Sequence, residues 1–155
     1  MHRFTTLATA ALCAALATPA AADFRPDRWY AMIGSNHVNT RPGYQPFNET
    51  NPGLFALWQG QRLDTIAGIY RNSFGRTSVS LAAQKTLIGG EHAALSVFAG
   101  AALYPGNGEN FALHLGDVVP VIGINLQAGP ALITVLPGDG KSHDAVVALS
   151  LEIGF

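Results

Sequence analysis

Charge is scarce in this chain: Asp, Glu, Lys and Arg make up 12% of its 155 residues, about half the share usual in soluble globular domains. The ten acidic and nine basic groups nearly cancel, which removes the basic footprint that nucleic acid requires of a partner. Cysteine is almost absent. The single Cys13 can build neither a disulfide framework nor a thiolate zinc site. No His-x-x-x-His spacing and no Gly-x-Ser-x-Gly elbow occurs, and the Gly-rich stretches Gly89-Gly90 and Gly106 to Gly108 read as turns rather than phosphate cradles. No metal and no cofactor is implied. Beyond Ala22 there is no run of 18 apolar residues, so a transmembrane helix is excluded. The content of 17 Gly and 9 Pro argues equally against a helical bundle.

What is present starts with an export signal. Residues 1–22 combine a basic start (His2, Arg3), an apolar stretch from Phe4 to Leu16, and small residues ending Ala20-Ala21-Ala22 before Asp23. That order predicts a cleaved secretory signal peptide. Cys13 follows Leu12, whereas a lipidated cysteine wants a small residue before it. One domain is expected over residues 23–155.

Within that domain, alternation with period two recurs. Val147, Leu149, Leu151, Ile153 and Phe155 oppose Ala148, Ser150, Glu152 and Gly154; Val79, Leu81 and Ala83 oppose Ser78, Ser80, Ala82 and Gln84. The segment from Val121 to Gln127 sets Ile122, Ile124 and Leu126 against Asn125 and Gln127 in the same way. Alternating segments of about ten residues between turn residues are the signature of a transmembrane β-barrel. Strands are predicted near 28–38, 52–59, 61–73, 76–87, 91–103, 118–127, 131–136 and 144–155, an even number as single-chain outer-membrane barrels require. Short connections (Gln59-Gly60, Gly89-Gly90, Ala128-Gly129-Pro130) alternate with the longer stretches 39–51, 104–117 and 137–143; only the link at Phe74-Gly75 is shorter than the pattern predicts. The expected fold is therefore all-β, an eight-stranded antiparallel up-and-down transmembrane barrel with both ends in the periplasm, and the expected location is the bacterial outer membrane. A soluble sandwich or lipocalin-like barrel would show the same alternation with the faces exchanged.

Topology brings one pair of chemical groups together. The first and third strands ascend in the same direction, so His37 and the run Arg71-Asn72-Ser73 reach the same rim. One intervening strand separates them by roughly 10 Å at the backbone, a gap that inward side chains and loop curvature can close. A hydroxyl beside an imidazole is a candidate nucleophile and general base for an ester. Rim polar residues are more often simply solvated. His92, at an inner turn, and His143, in an outer loop, are expected to be ordinary exposed histidines.

These residues resemble a known family. The order Gly34-Ser35-Asn36-His37, then Phe47-Asn48-Glu49-Thr50-Asn51-Pro52-Gly53, then Tyr70-Arg71-Asn72-Ser73 is similar to that of the outer-membrane lipid A palmitoyltransferases (PagP-like acyltransferases), in which a strand ends in a catalytic His. A Tyr-Asn-Glu loop, a Gly-rich second strand and an Asp-Ser pair ending the third strand follow there. Pro120, Pro137 and a final alternating strand match as well. The resemblance implies His37 as general base, Ser73 as nucleophile or essential hydroxyl, and Asn72 at the place of the family's Asp. An Asn can orient an imidazole by a hydrogen bond but cannot neutralise the imidazolium. The family's amphipathic helix before the barrel has no room in Asp23 to Arg28, and the first strand lacks a gateway proline. The activity implied is transfer of an acyl chain from a phospholipid donor to a lipid A acceptor, with the donor chain admitted laterally near Pro120 or Pro137 into an interior shaped by Ala82, Phe98 and Gly100. Two other functions stay open: a lipid esterase or deacylase using the same pair, and a non-catalytic barrel acting structurally or as an adhesin or receptor through its loops.

Overall fold

The computed structural model describes residues 24–154 except Gln45, Glu91 and Gly140. The predicted signal peptide and the terminal Phe155 lie outside these residues. Eight strands follow one another: β1 (Arg28–Val38), β2 (Gly53–Trp58), β3 (Asp64–Arg71), β4 (Thr77–Gly89), β5 (Ala93–Leu103), β6 (Val118–Ala128), β7 (Ala131–Pro137) and β8 (Ala145–Ile153). Each pairs with its sequence neighbour, and β1 pairs antiparallel with β8 to close the barrel. Closure leaves no sheet edge. Among the described residues no helix is long and apolar enough to cross a membrane.

Period two decides which side chains face where. In β8, Leu149 and Leu151 are 42% and 40% exposed on the outside, whereas Ala148 and Ser150 are buried inside. β4 repeats the pattern with Val79 and Leu81 outside and Ser78 and Gln84 buried, and β6 with Ile122, Ile124 and Leu126 outside and Asn125 buried. On these three strands large apolar residues face out and polar residues face in, the reverse of a soluble barrel. The buried polar groups are satisfied in pairs. Asn125 Nδ2 donates to Gln84 Oε1 at 2.7 Å, Thr134 Oγ1 donates to Asn125 Oδ1 at 2.6 Å, and the Thr86 and Ser96 hydroxyls lie 3.1 Å apart. Nearer the short-turn end, Glu152 faces inward as its alternation requires, accepting from Gln127 Nε2 at 3.2 Å and lying 3.5 Å from Arg28.

A cavity of about 150 Å³ runs through the interior from Ser73 past Gln84 and Asn125, walled by Phe55, Tyr70, Ala82, Phe98, Val121 and Leu136 among others. Two rings lie flat against its wall because the opposite residue is glycine. A Cβ on Gly68 would sit 2.2 Å from the Phe55 ring, and one on Gly123 would sit 2.7 Å from Phe98. Gly100, expected to shape the interior, serves close strand packing instead: a Cβ there would meet the Ala82 Cα at 2.5 Å.

Two ladders stop early, both toward the end that carries the long loops. β6 pairs with β7 only from Ile124–Val135 to Ala128–Ala131, so Val118 to Gly123 bond to β5 alone. β1 pairs with β2 only from Arg28 to Met32, so Gly34 to Val38 bond to β8 alone. The gap beside β6 coincides with Pro120 and with Pro137 at the end of β7, neither of which can donate a ladder hydrogen bond. The gap beside β1 is closed by the β1–β2 loop, whose Glu49 carbonyl accepts from Ser35 N at 3.0 Å.

Candidate active site

His37 is the penultimate residue of β1, and a β-bulge aims it. Met32 stands opposite Ser150 and Gly34 opposite Leu149, so Ile33 is an extra residue in the ladder. Before the bulge Tyr30 and Met32 face the interior; after it Ser35 and His37 do. Were Ile33 paired as a regular ladder residue, strict alternation would turn His37 outward, and bulges re-aim side chains in this way. His37 is 6% exposed.

Ser73 is carried by the tight turn between β3 and β4. The third strand ends at Arg71 rather than continuing through Ser73, because residues 72–76 form the turn. Ser73 Oγ lies 3.1 Å from His37 Nε2 and also lines the interior cavity. The expected pair is thus in hydrogen-bond contact, with the hydroxyl open to the cavity.

Asn72 does something other than what its position suggested. Its Oδ1 accepts from Phe74 N at 2.9 Å and Arg76 N at 3.0 Å, and its Nδ2 donates to Ser78 Oγ at 2.9 Å. With 1% exposure and its amide committed on both sides, Asn72 pins the turn that presents Ser73 and makes no hydrogen bond to the imidazole.

The β1–β2 loop builds the wall of the site. Phe47 stacks on the His37 ring at 4.1 Å and 12°. Asn48 N donates to the Ser73 carbonyl at 2.8 Å, tying this loop to the opposite turn. Asn51, 1% exposed, accepts from Ser35 Oγ at 2.6 Å and donates to the Arg71 carbonyl at 3.0 Å. Glu49 Oε1 accepts from His37 N and Asn36 Nδ2, each at 3.1 Å. Loop residues Phe47 to Asn51 therefore bridge β1 and β3 where β2 is missing from the ladder.

His143 corrects a second expectation. Far from being an exposed loop residue, it packs edge-on against His37 at 4.9 Å and against Phe47 at 5.1 Å. Its Nδ1 is 2.8 Å from Ser142 Oγ, which donates to Asp139 Oδ2 at 2.8 Å. Burial alone would raise the Asp139 carboxyl, but the Ser142 hydroxyl and the N–H groups of Ser142, Lys141 and His143 outweigh it and hold the group well below the usual carboxylate range. Its fixed charge nucleates the loop that seats His143. His92 is exposed, as expected, and the exposed His114 lies 3.2 Å from the Gly116 carbonyl.

Chemically the arrangement holds a base against a hydroxyl in a largely dry setting. His37 Nε2 can take the Ser73 proton only if the ring hydrogen sits on Nδ1. Nδ1 is buried and has no hydrogen-bond partner, and an N–H left unpaired in that way costs about 1–3 kcal/mol. Among the described residues no cluster of three or more His, Cys, Asp or Glu is placed to hold a metal ion. Against known proteins, the chain matches no family model and no curated sequence.

Proposed function

We propose that this protein is an outer-membrane acyltransferase that moves a fatty acyl chain from a phospholipid to lipid A. The observation that carries the reading is the 3.1 Å contact between Ser73 Oγ and His37 Nε2 at the mouth of the interior cavity. In support of the membrane setting, the outward face is apolar on every strand where alternation is clear, and most of the buried polar residues lie on the inward face. The loop-rich rim then faces outward, where lipid A is found. A void of about 150 Å³ accommodates only a benzene-sized piece of hydrocarbon. A longer chain therefore also occupies the opening between β6 and β7, where Val121 and Leu136 line the cavity beside the interrupted ladder.

In the reaction, Ser73 Oγ attacks the ester carbonyl carbon of the donor while its proton passes to His37 Nε2. The ester C–O bond breaks and His37 returns the proton to the departing lysophospholipid oxygen. A lipid A hydroxyl then gives its proton to His37, attacks the acyl-Ser73 ester and restores the Ser73 hydroxyl. Mass spectrometry of lipid A from a bacterium expressing the protein will show the gain of one acyl chain. Ser73→Ala and His37→Ala will each lower the transfer rate by on the order of 10³-fold or more, as loss of a nucleophile or its base does. Loss of a chain instead of gain would identify the esterase alternative. An unchanged profile from correctly inserted protein would leave the non-catalytic barrel.

A further inference from the structure

The buried, unpartnered His37 Nδ1 asks for an acceptor, and Asn72, the residue expected to serve it, is engaged in the β3–β4 turn. One carboxylate stands within reach. Glu49 Oε1 is 3.9 Å from Nδ1, and the same oxygen is already fixed to the His37 backbone N–H at 3.1 Å. The carboxylate is therefore anchored to the residue whose ring it faces, and closing to a charge-assisted hydrogen bond of about 2.8 Å needs a side-chain torsion change rather than a backbone movement. The ring itself is held still for that approach by Phe47 on its face and His143 at its edge.

We infer that Glu49 is the positioning residue of this site, its carboxylate holding the His37 imidazole with the hydrogen on Nδ1, so that Ser73, His37 and Glu49 act as one relay. The inference rests on the acyl-transfer reading only in its choice of Ser73 as nucleophile. In a relay of this kind the carboxylate selects the tautomer that leaves Nε2 free to accept a proton, and it stabilises the imidazolium once formed. Asn72 is left with the turn. The loss of a carboxylate at position 72 is then offset from a different element, the β1–β2 loop, and the site keeps a full complement of nucleophile, base and acid anion.

The experiment uses full-length protein inserted in detergent micelles or vesicles and a fluorophosphonate probe, which reacts with an activated serine without needing either lipid substrate. Label on Ser73, located by mass spectrometry, is timed in the wild type, Glu49→Gln and, as control, Ser73→Ala. Gln keeps an oxygen for the His37 and Asn36 N–H groups and removes only the charge, so a purely structural role would leave the rate unchanged. The relay predicts at least a 100-fold slower reaction for Glu49→Gln and a downfield His37 Nδ1–H resonance in ¹⁵N-histidine spectra that Glu49→Gln abolishes. A Glu49→Gln rate within about threefold of wild type, or a wild-type Ser73 that takes no label, would each overturn it. Glu49-dependent labelling without any lipid A acylation would reject the substrate and keep the relay; acylation that survives Glu49→Gln intact would reject the relay and keep the substrate.

Discussion

At the scale of single residues, the site separates holding from reacting. Asn72 makes three hydrogen bonds with 1% of its surface exposed, whereas the Ser73 side chain makes one contact, to His37. Asn72→Ala leaves two backbone N–H groups and the Ser78 hydroxyl without their partner, and it will destabilise the barrel by about 2–3 kcal/mol. Ser73→Ala removes one part-buried hydroxyl and will cost at most about 1 kcal/mol. Urea unfolding of vesicle-inserted protein distinguishes the two, and the less damaging substitution is the one expected to stop chemistry. The Ser73–His37 pair was legible in the sequence because strand order brings the ends of the first and third strands to one rim and the family resemblance singles out the same two residues. His143 was not. Its seat depends on a loop folded by four hydrogen bonds to the Asp139 carboxylate, a local solution that spacing along the chain does not reveal. Glu49 belongs to segment 47–53 of the family resemblance, yet its nearness to Nδ1 follows only from the way Phe47 to Asn51 fill the missing half of β2.

At the scale of elements, the way one extra residue is accommodated decides whether there is a site at all. Alternation read along residues 28–38 puts Tyr30 and His37 on opposite faces, and both face inward because Ile33 is extra in the β1–β8 ladder. A one-residue slip exchanges every side chain between faces. Deleting Ile33 alone closes the bulge and keeps Ser35 and His37 facing inward, whereas deleting Ile33 together with Gly34 shifts the strand by one residue, turns Ser35 and His37 toward the outside, and will abolish both acyl transfer and probe labelling of Ser73. The seven other strands keep their registers, so heat-modifiable migration on gels will still report a closed barrel. The strand boundaries expected from turn residues agree with those observed to within two residues for most strands, since Gly, Pro and Asn mark the ends. β3 differs more, starting at Asp64 and ending at Arg71. The chain there reads as continuing through Ser73, but the Asn72 side chain captures the N–H groups of Phe74 and Arg76 and turns the backbone. Bulges leave no comparable mark, since an extra residue in a ladder is defined by the partner strand and not by the strand that carries it.

At the scale of the whole molecule, the distribution of polarity sets the solvent. Outward-facing Ile69, Val79, Ile122 and Leu149 are exposed, while Ser78, Gln84, Asn125 and Ser150 are buried, and the low charge of the chain follows from that arrangement: most positions on the strands belong either to an apolar outer face or to a small interior. The ambiguity that alternation leaves, which face is inside, is resolved by closure of the barrel around the polar set. Leu149, at the centre of β8 and 42% exposed, tests whether the outer face meets lipid. In a bilayer, Leu149→Arg places a cation near the hydrocarbon midplane and will destabilise the folded barrel by about 2–4 kcal/mol, measured as the shift in urea unfolding from phosphatidylcholine vesicles. On a water-facing barrel the same exposed substitution would change stability by no more than about 0.5 kcal/mol. Because position 149 lies away from the rim and outside the cavity, the arginine perturbs insertion alone. Protein that does insert will retain full acyl transfer, which separates the claim about the membrane from the claim about the chemistry.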